Sequence, residues 1–411
     1  MCIRDRNYLN SMDAKGNPVI FTNGDNDTFP LWYNQETEGV RTDARVCNLS
    51  YLQTDWYIDQ MRRPAYDSPS LPISWTRLQY VTGTREGIPV QPDALQQVID
   101  YYKDSPEDLK QMLGDNPYEL KNIIRHWVLN DNPDLQIFPT DSIVVTVDKE
   151  AVKRSGMMIA ADSIPDVMHI SLKGKRAIYK SEMMMLEMIS QANWERPLYM
   201  STTVGPDNYG HLGDNFVQEG LACRITPFDT KQSGRTIDSE RMYNNMMNKF
   251  KYGGLKENPD IYLDETVIRM CYTHRRLFNQ LAQQLLKEGQ KDKALKVLQR
   301  AEEEIPGSIV PHEAFYGHSL ELADAWLALG HKAEAEKLLN AVGQNAKEYI
   351  EWYLSLNTQR LLQSSRECLM QIYILNDIAK TWEPIDKKKA ETYRMEVNNY
   401  ASRCHQRGMS L

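Results

Sequence analysis

The spacing of apolar residues changes once along this chain of 411 residues, near residue 258. Before that point, short apolar runs are separated by polar, glycine and proline residues, which is typical of buried strands alternating with helices. After it, apolar residues recur every three or four positions, which predicts helices alone. We therefore expect an α/β fold with a mixed sheet of βαβ type, followed by an all-α domain.

A βαβ unit is the first element that the pattern predicts, within residues 7–80. Its first strand is the apolar run 19–21, and its second strand is 44–49. Between them we expect a helix over residues 29–38, capped by Thr28 and ended by Gly39. A short helix over residues 54–61 follows the second strand.

Residues 92–130 predict a polar helical insertion that covers the sheet, because a proline stands near the start of each of its three helical stretches. The α/β pattern then returns, with strands expected at 142–148 and 197–202. Between these, residues 168–180 alternate apolar and polar side chains around a Lys-Gly-Lys turn, which predicts a β-hairpin.

The helical part contains an internal repeat of tetratricopeptide type, with small residues where paired helices approach closely. One copy comprises Phe278, Leu281, Ala282, Leu285, Gly289, Ala294, Leu298, Ala301 and Pro306. The other comprises Leu322, Ala323, Trp326, Gly330, Ala335, Leu339 and Val342. The two glycines are 41 residues apart (330 − 289), more than the usual period of roughly 34, so we expect a short insertion near 307–316. Helices at 361–381 and 386–404 fit an atypical capping pair.

Composition narrows the possible partners. Hydrophobic residues make up 41% of the chain and charged residues 25%, as in a folded protein. The net charge of −8, with no long basic run, argues against nucleic acid as a partner. No apolar run approaches the eighteen or so residues that span a bilayer. Six scattered cysteines without CxxC spacing favour buried free thiols over disulfides or zinc ligands.

The opening residues 1–6, MCIRDR, lack the apolar core of a signal peptide. They match the in-frame translation of ATGTGTATAAGAGACAG, the end of a transposase library adapter. We interpret them as sequencing read-through and expect the natural chain to continue upstream, where membrane spans could lie.

The turn after the first strand concentrates polar chemistry in Asn23, Gly24, Asp25, Asn26 and Asp27. In open α/β sheets, ligands bind beyond the carboxyl ends of strands, so we take this turn as the candidate binding site. Three interpretations stay open. The side chains could recognise a polar ligand, they could form a purely structural Asx-turn network, or Asp25 and Asp27 could hold a divalent cation, as an acid-x-acid triplet does in nucleotide-sugar transferases.

Aromatic residues flank that turn: Trp32, Tyr33, Trp56 and Tyr57. Aromatic faces beside amides and carboxylates are typical of grooves that bind carbohydrate or peptide, and sheet packing is the equal alternative. Farther along, Trp194 and Arg196 could hold a carboxylate or phosphate, or could pack together to close a strand start.

The sequence identifies no catalytic acid, base or nucleophile. The eight histidines are scattered without ligand spacing, and the chain contains neither GxxxxGK[ST] nor GxGxxG. No cofactor is therefore expected in this chain.

Several segments, in this order, resemble a family of large bacterial membrane proteins of unknown function: NGDNDTFPLWY, EGVRTDARVCNLSYLQTDWYIDQM, TVDK, NWERPLYMST and EGLACRITP. That family is similar to protein O-mannosyltransferases of the GT-C glycosyltransferase clan, and the resemblance covers most of residues 16–345. It implies that transmembrane helices precede a soluble extracytoplasmic region, on the periplasmic side, that ends in tetratricopeptide-like helices.

The sequence pattern predicts a division into residues 7–257, the α/β domain, and 258–411, the helical repeats. The family's catalytic carboxylate and its lipid-linked sugar donor belong to the membrane half, so no catalytic residue is carried over and this chain alone is expected to be inactive. Its partners would be its own transmembrane domain, an acceptor polypeptide at the turn, and a protein bound by the repeats. An interaction module without a role in chemistry is the alternative function.

Overall fold

The computed structural model describes residues 3–157 and 164–409. The chain divides into two compact units, Met1–Lys251 and Tyr252–Leu411. The first contains a mixed sheet with helices, and the second is helical, which confirms the expectation of an α/β part followed by an all-α part.

The strands of the first unit are short, and most of their residues are buried. They are β1 (Val19–Thr22), β2 (Arg45–Asn48), β3 (Gly87–Pro89), β4 (Ser142–Thr146), β5 (Val167–Ser171), β6 (Ala177–Tyr179), β7 (Leu198–Ser201), β8 (Phe216–Gln218) and β9 (Ala222–Ile225). Its helices are α1 (Ile3–Ser11), α2 (Asp25–Glu38), α3 (Asp55–Met61), α4 (Arg77–Tyr80), α5 (Ala94–Tyr101), α6 (Pro106–Leu113), α7 (Leu120–Ile123), α8 (Lys149–Arg154), α9 (Lys180–Ala192), α10 (Thr230–Ser233) and α11 (Ser239–Asn244).

Five strands form the main sheet in the order β2-β1-β7-β9-β8. β1 lies parallel to both β2 and β7, whereas β9 runs antiparallel to β7 and to β8. Every residue of β1, β2 and β7 is buried, as expected for parallel strands that are covered on both faces. The helix α2 connects β1 to the parallel strand β2, as the βαβ pattern predicts.

The prediction of a hairpin at residues 168–180 is wrong. Both strands exist, but β5 pairs with β4 and β6 pairs with β3, each antiparallel. The buried side chains explain the choice, because Met168 and Ile170 of β5 lie opposite Val145 and Ile143 of β4 and join the same core. A period of two identifies a strand, but it does not identify the partner that completes its apolar face.

The segment 92–130 forms α5, α6, α7 and one π-helical turn at Ile124–Val128. Part of it packs around a small apolar cluster of its own, separate from the main core: Leu95, Leu113, Trp127 and Ile137. Three helical segments, α5, α6 and the π-helical turn, therefore bring buried apolar residues to one place, where Ile137 joins them.

The second unit consists of helices that pack mainly as consecutive pairs. They are α12 (Glu265–Lys287), α13 (Lys291–Glu304), α14 (Ser319–Ala328), α15 (Lys332–Ser355), α16 (Thr358–Gln363), α17 (Ser365–Trp382) and α18 (Lys387–Gln406). The pairs are α12 with α13, α14 with α15, and α17 with α18. Residues 305–318 join two of these pairs without a helix, and the buried Arg275 holds that link through the carbonyl oxygens of Ile305, Val310 and Pro311.

Five cysteines of the described part of the chain are free: Cys47, Cys223, Cys271, Cys368 and Cys404. Cys2 lies outside the described residues, as does Met1. The interpretation of residues 1–6 as read-through stays a prediction, although α1 begins at Ile3 and buries the side chain of Asp5.

Candidate functional site

The carboxyl ends of three parallel strands meet at one edge of the main sheet. The register places Thr22 of β1 beside Asn48 of β2, and Phe21 beside Met200 of β7. The residues that follow these strands therefore emerge together, at the edge where open α/β sheets bind ligands.

The turn between β1 and α2 is tighter than the sequence suggested. The helix begins at Asp25, directly after Gly24, whose φ of 75° is easily reached only without a side chain. Thr28 is therefore not the N-cap but a buried residue inside the helix. Its hydroxyl donates to Gly24 O (2.8 Å), lies 2.8 Å from the Thr22 hydroxyl, and accepts a bond of 2.9 Å from Asn48.

This shift places both carboxylates of the turn in the first turn of α2, where the helix dipole favours negative charge. Asp25 Oδ1 accepts a hydrogen bond of 3.1 Å from the Tyr51 hydroxyl, and Asp27 Oδ2 accepts one of 2.6 Å from the Thr203 hydroxyl. Tyr51 follows β2 and Thr203 follows β7, so the carboxylates bond to residues on opposite sides of β1.

The surface that results contains Asn23, Asp25, Asp27, Ser50, Tyr51 and Thr203, and we call it the carboxyl-edge surface. The Ser50 hydroxyl donates a bond of 2.7 Å to Asn23 Oδ1. Asp25 and Asn26 are exposed, and Asp27 and Asn23 are half-buried. Asn23, Asp25 and Asp27 are thus all at least partly accessible, and a ligand with hydroxyl or amide donors could bind there.

Aromatic rings continue this surface along one side, and we call Phe29, Trp32, Tyr51 and Trp56 the aromatic row. Consecutive ring centroids are 5.6, 6.5 and 5.7 Å apart. Phe29 is 44% exposed and Trp56 50%, so the row combines packing with a large accessible apolar area. Tyr33 is also exposed on α2, but its ring is not in a stacked pair within the described residues.

Tyr51 belongs to both the carboxyl-edge surface and the aromatic row. Partial burial, and then the hydrogen bond to the Asp25 carboxylate, raise the pKa of its hydroxyl above 10.0. The hydroxyl therefore remains a proton donor at neutral pH. A ligand ring lying on the aromatic row would have directed polar partners at one end.

Trp194 and Arg196 lie elsewhere, at the amino end of β7. The Trp194 indole is buried and donates to Thr146 O (3.1 Å). Arg196 donates to the carbonyl oxygens of Asn17 and Ser70 at 2.8 and 2.7 Å and to the Ser68 hydroxyl at 3.1 Å. The structure thus brings together the turn and the aromatic residues 32, 51 and 56, but not this pair.

Sequence reasoning missed Ser50, Tyr51 and Thr203 as members of the surface. A signal existed, because Ser50 and Tyr51 follow the predicted second strand and Thr203 follows the strand predicted at 197–202. Recognising that both strands run parallel to β1 would have placed these residues at the same edge.

Within residues 3–157 and 164–409, no three His, Cys, Asp or Glu side chains gather as they would around a metal ion. In the same part of the chain, no helix is both long enough and apolar enough to span a membrane.

The fold and the site define an α/β domain with a polar and aromatic surface at the carboxyl edge of its sheet, followed by a helical unit. The chain belongs to the TMEM260-associated domain 2 family, whose sequence profile matches residues 4–245. This family has no established function and is associated with a membrane protein. No curated protein and no solved structure matches the chain.

Proposed function

We propose that this chain is the extracytoplasmic, periplasmic part of a membrane glycosyltransferase resembling protein O-mannosyltransferases, and that its carboxyl-edge surface binds the acceptor polypeptide. The membrane association of the family supports the first part of this proposal. The reaction itself, with a lipid-linked sugar donor, would take place on a membrane half outside these 411 residues.

One observation carries the binding role, namely that Tyr51 joins the Asp25 carboxylate to a row of exposed aromatic rings. A polypeptide supplies both kinds of group that such a surface accepts, since its N–H groups can donate to carboxylates and its side chains can cover aromatic faces. Trp32, Tyr33 and Trp56 would contribute apolar area, and Asn23 and Asp27 would contribute acceptors.

The test uses the full-length protein with its membrane region. Replacing both carboxylates (Asp25→Ala with Asp27→Ala) should abolish glycan transfer to an acceptor protein, measured by the mass of the glycosylated acceptor. Asp104→Ala with Asp108→Ala is the matched control, because it removes the same charge from exposed positions in the helical segment 92–130. Transfer that persists in the first variant, with both variants folded by circular dichroism, would refute the proposal.

A divalent cation shared by Asp25 and Asp27 is a weaker version of the same site. Such a cation would require both carboxylates to turn away from Tyr51 and Thr203 toward one point. Titration calorimetry of this chain with Mn²⁺ and Mg²⁺ distinguishes the two versions, because heat that disappears in the double variant would show a metal site.

A second candidate function rests on the helical unit, which we infer to be a tetratricopeptide-like interaction module. Gly289 and Gly330 have φ of 74° and 82° and stand in the turns that separate the paired helices, as this repeat requires. Exposed aromatic side chains on the helices, Tyr349 and Trp352 on α15 and Tyr373 on α17, offer apolar area to a partner. Deleting residues 260–411 would remove such a partner, whereas an acceptor-binding first unit should retain part of the transfer activity.

A further inference from the structure

A cleft in the first unit, lined by residues other than those of the carboxyl-edge surface, has a volume of about 1090 Å³. One wall is the strand β5 and the residues just beyond it, and the other wall consists of residues 206–215 and 227–233. Its volume is slightly above the range of roughly 300–1,000 Å³ that is typical of ligand-binding pockets. We call it the β5 cleft.

Among the described residues, β5 pairs with β4 alone and is therefore an edge strand. The hydrogen-bond pattern shows which of its backbone groups point outward. Leu172 N donates to Asp141 O and Val147 N donates to Asp166 O, so even-numbered residues of this segment face β4. In an antiparallel pair the intervening residues direct their N–H and C=O groups to the other side. For β5 these residues are Val167, His169 and Ser171, and all three line the cleft.

The outward backbone groups of Val167 and His169 have no hydrogen-bond partner in the described part of the chain. The backbone of Ser171 is met by the His211 side chain, which limits the open edge at that end. Unpaired donors and acceptors that alternate along a strand are complementary to another extended backbone, and proteins use such edges to bind peptides by strand addition.

The charge of the opposite wall indicates which peptides fit. Among its described residues, that wall includes Asp207, Asp214 and Asp229 and no lysine or arginine, whereas Lys173 and Lys175 line the β5 side of the cleft. Asp229 caps α10 through Gln232 N, whereas Asp207 and Asp214 are exposed. An extended segment that carries lysine or arginine is therefore complementary to this wall.

We propose that the β5 cleft binds an extended, basic segment of another polypeptide, which adds as a strand to the outer edge of β5. About five residues of the segment would pair, because β5 has five residues and a strand added beside it has the same rise of about 3.3 Å per residue. This site is independent of the acceptor surface proposed above, because the two have no lining residue in common.

A proline substitution at His169 tests the backbone pairing directly. The N–H of His169 points into the cleft, so His169→Pro removes an outward donor without removing a bond to β4, and proline is tolerated in edge strands when its nitrogen faces outward. His169→Ala is the matched control, because it removes the same side chain and keeps the N–H.

The probe is a phage-displayed library of random dodecapeptides, selected on the 411-residue chain, with enriched peptides resynthesised and titrated by fluorescence anisotropy. We expect basic peptides that bind the His169→Ala variant within about threefold of wild type and the His169→Pro variant at least tenfold more weakly. N-methylation of alternate peptide residues should abolish binding in one register only, which tests pairing even if the proline variant fails to fold. Hydrogen exchange at Val167 and His169 should slow in the complex.

Three results would overturn this proposal. They are the absence of enriched peptides, equal binding to the proline and alanine variants when both are folded, and peptides whose binding is lost in the Asp25→Ala, Asp27→Ala variant instead. The last result would place the peptides at the carboxyl-edge surface.

Discussion

The Tyr199 hydroxyl donates a hydrogen bond of 2.8 Å to Oε2 of Glu219, and both side chains are buried within the main sheet. The nearest arginine nitrogens, from Arg224 and Arg241, lie 3.8 and 3.7 Å from the Glu219 carboxylate, beyond hydrogen-bond distance. Burial is therefore the dominant influence on this carboxyl and raises its pKa above 4.5.

The pH dependence of stability follows from that direction. The folded carboxyl binds a proton more tightly than the unfolded one, so its contribution to folding is complete below pH 4.5 and is lost as the pH rises through the folded-state pKa. Glu219→Gln cannot titrate, so the free energy of unfolding of wild type relative to this variant should fall from pH 4.5 toward neutrality. Urea unfolding of both proteins across this pH range measures the difference between their free energies of unfolding.

Glu240→Gln is the control for this series, because Glu240 is an exposed carboxyl in α11. A difference for Glu219→Gln that stays constant, or grows with pH, would show that the arginines dominate the carboxyl instead.

Thr28 fixes the turn that carries Asp25 and Asp27. Replacing it with valine keeps the shape and leaves Gly24 O and the amide of Asn48 without their buried partner. We expect Thr28→Val to lower the free energy of unfolding by about 1–3 kcal/mol. Thr28→Ser keeps the hydroxyl and loses only a methyl group, so it should cost less, about 0.8 kcal/mol. Denaturant titration of the two variants measures both losses in the free energy of unfolding. A loss in the valine variant that is equal to or smaller than the loss in the serine variant would contradict the role of the hydroxyl.

Local patterns in the sequence were sufficient for the elements around this turn but not for their contacts. The strands β1, β2 and β7 could be predicted because both of their faces are buried, which places apolar residues at consecutive positions within them. Gly39 ends α2 as expected, in the left-handed conformation at φ 61°. The helix start was misplaced because Gly24 allows α2 to begin at once, which no residue preference of Thr28 reveals.

The contacts of the site depend on residues far apart in the chain. Tyr51 is 26 residues from Asp25, and Thr203 is 176 residues from Asp27. Such partners are set by strand order and direction, which the pairing of β1 with β7 determines. The same limit explains why the predicted hairpin is wrong. Instead of pairing with each other, β5 pairs with β4 and β6 pairs with β3, strands that are more distant in the sequence.

Arg196 provides a test of whether its guanidinium serves structure or a ligand. Its three nitrogens bond to separate groups, at Asn17, Ser70 and Ser68, an arrangement that the single nitrogen of lysine cannot reproduce. We expect Arg196→Lys and Arg196→Ala to destabilise the chain similarly, by about 2 kcal/mol or more. Thermal unfolding measures both. A stable lysine variant with wild-type Tm would indicate that only the positive charge matters, as it would for binding a carboxylate or phosphate.

The thiols of Cys368 and Cys404 lie 3.9 Å apart in the interface of α17 and α18, fully buried. Burial raises the pKa of Cys368 to about 12 and also raises the pKa of Cys404. Because the thiolate is the reactive form, Cys368 is almost entirely in its unreactive thiol form at pH 8. We expect iodoacetamide to label neither residue in the native protein within an hour and to label both in guanidinium chloride, as quantified by peptide mass spectrometry.

Cys368→Ala should leave the Cys404 peptide as the only one of the pair to be labelled after unfolding. Rapid native labelling of either peptide would mean that the α17–α18 interface opens. A cross-linked pair that resists labelling until it is reduced would mean that the thiols, already in van der Waals contact, close into a disulfide, and would overturn the assignment of this pair as free.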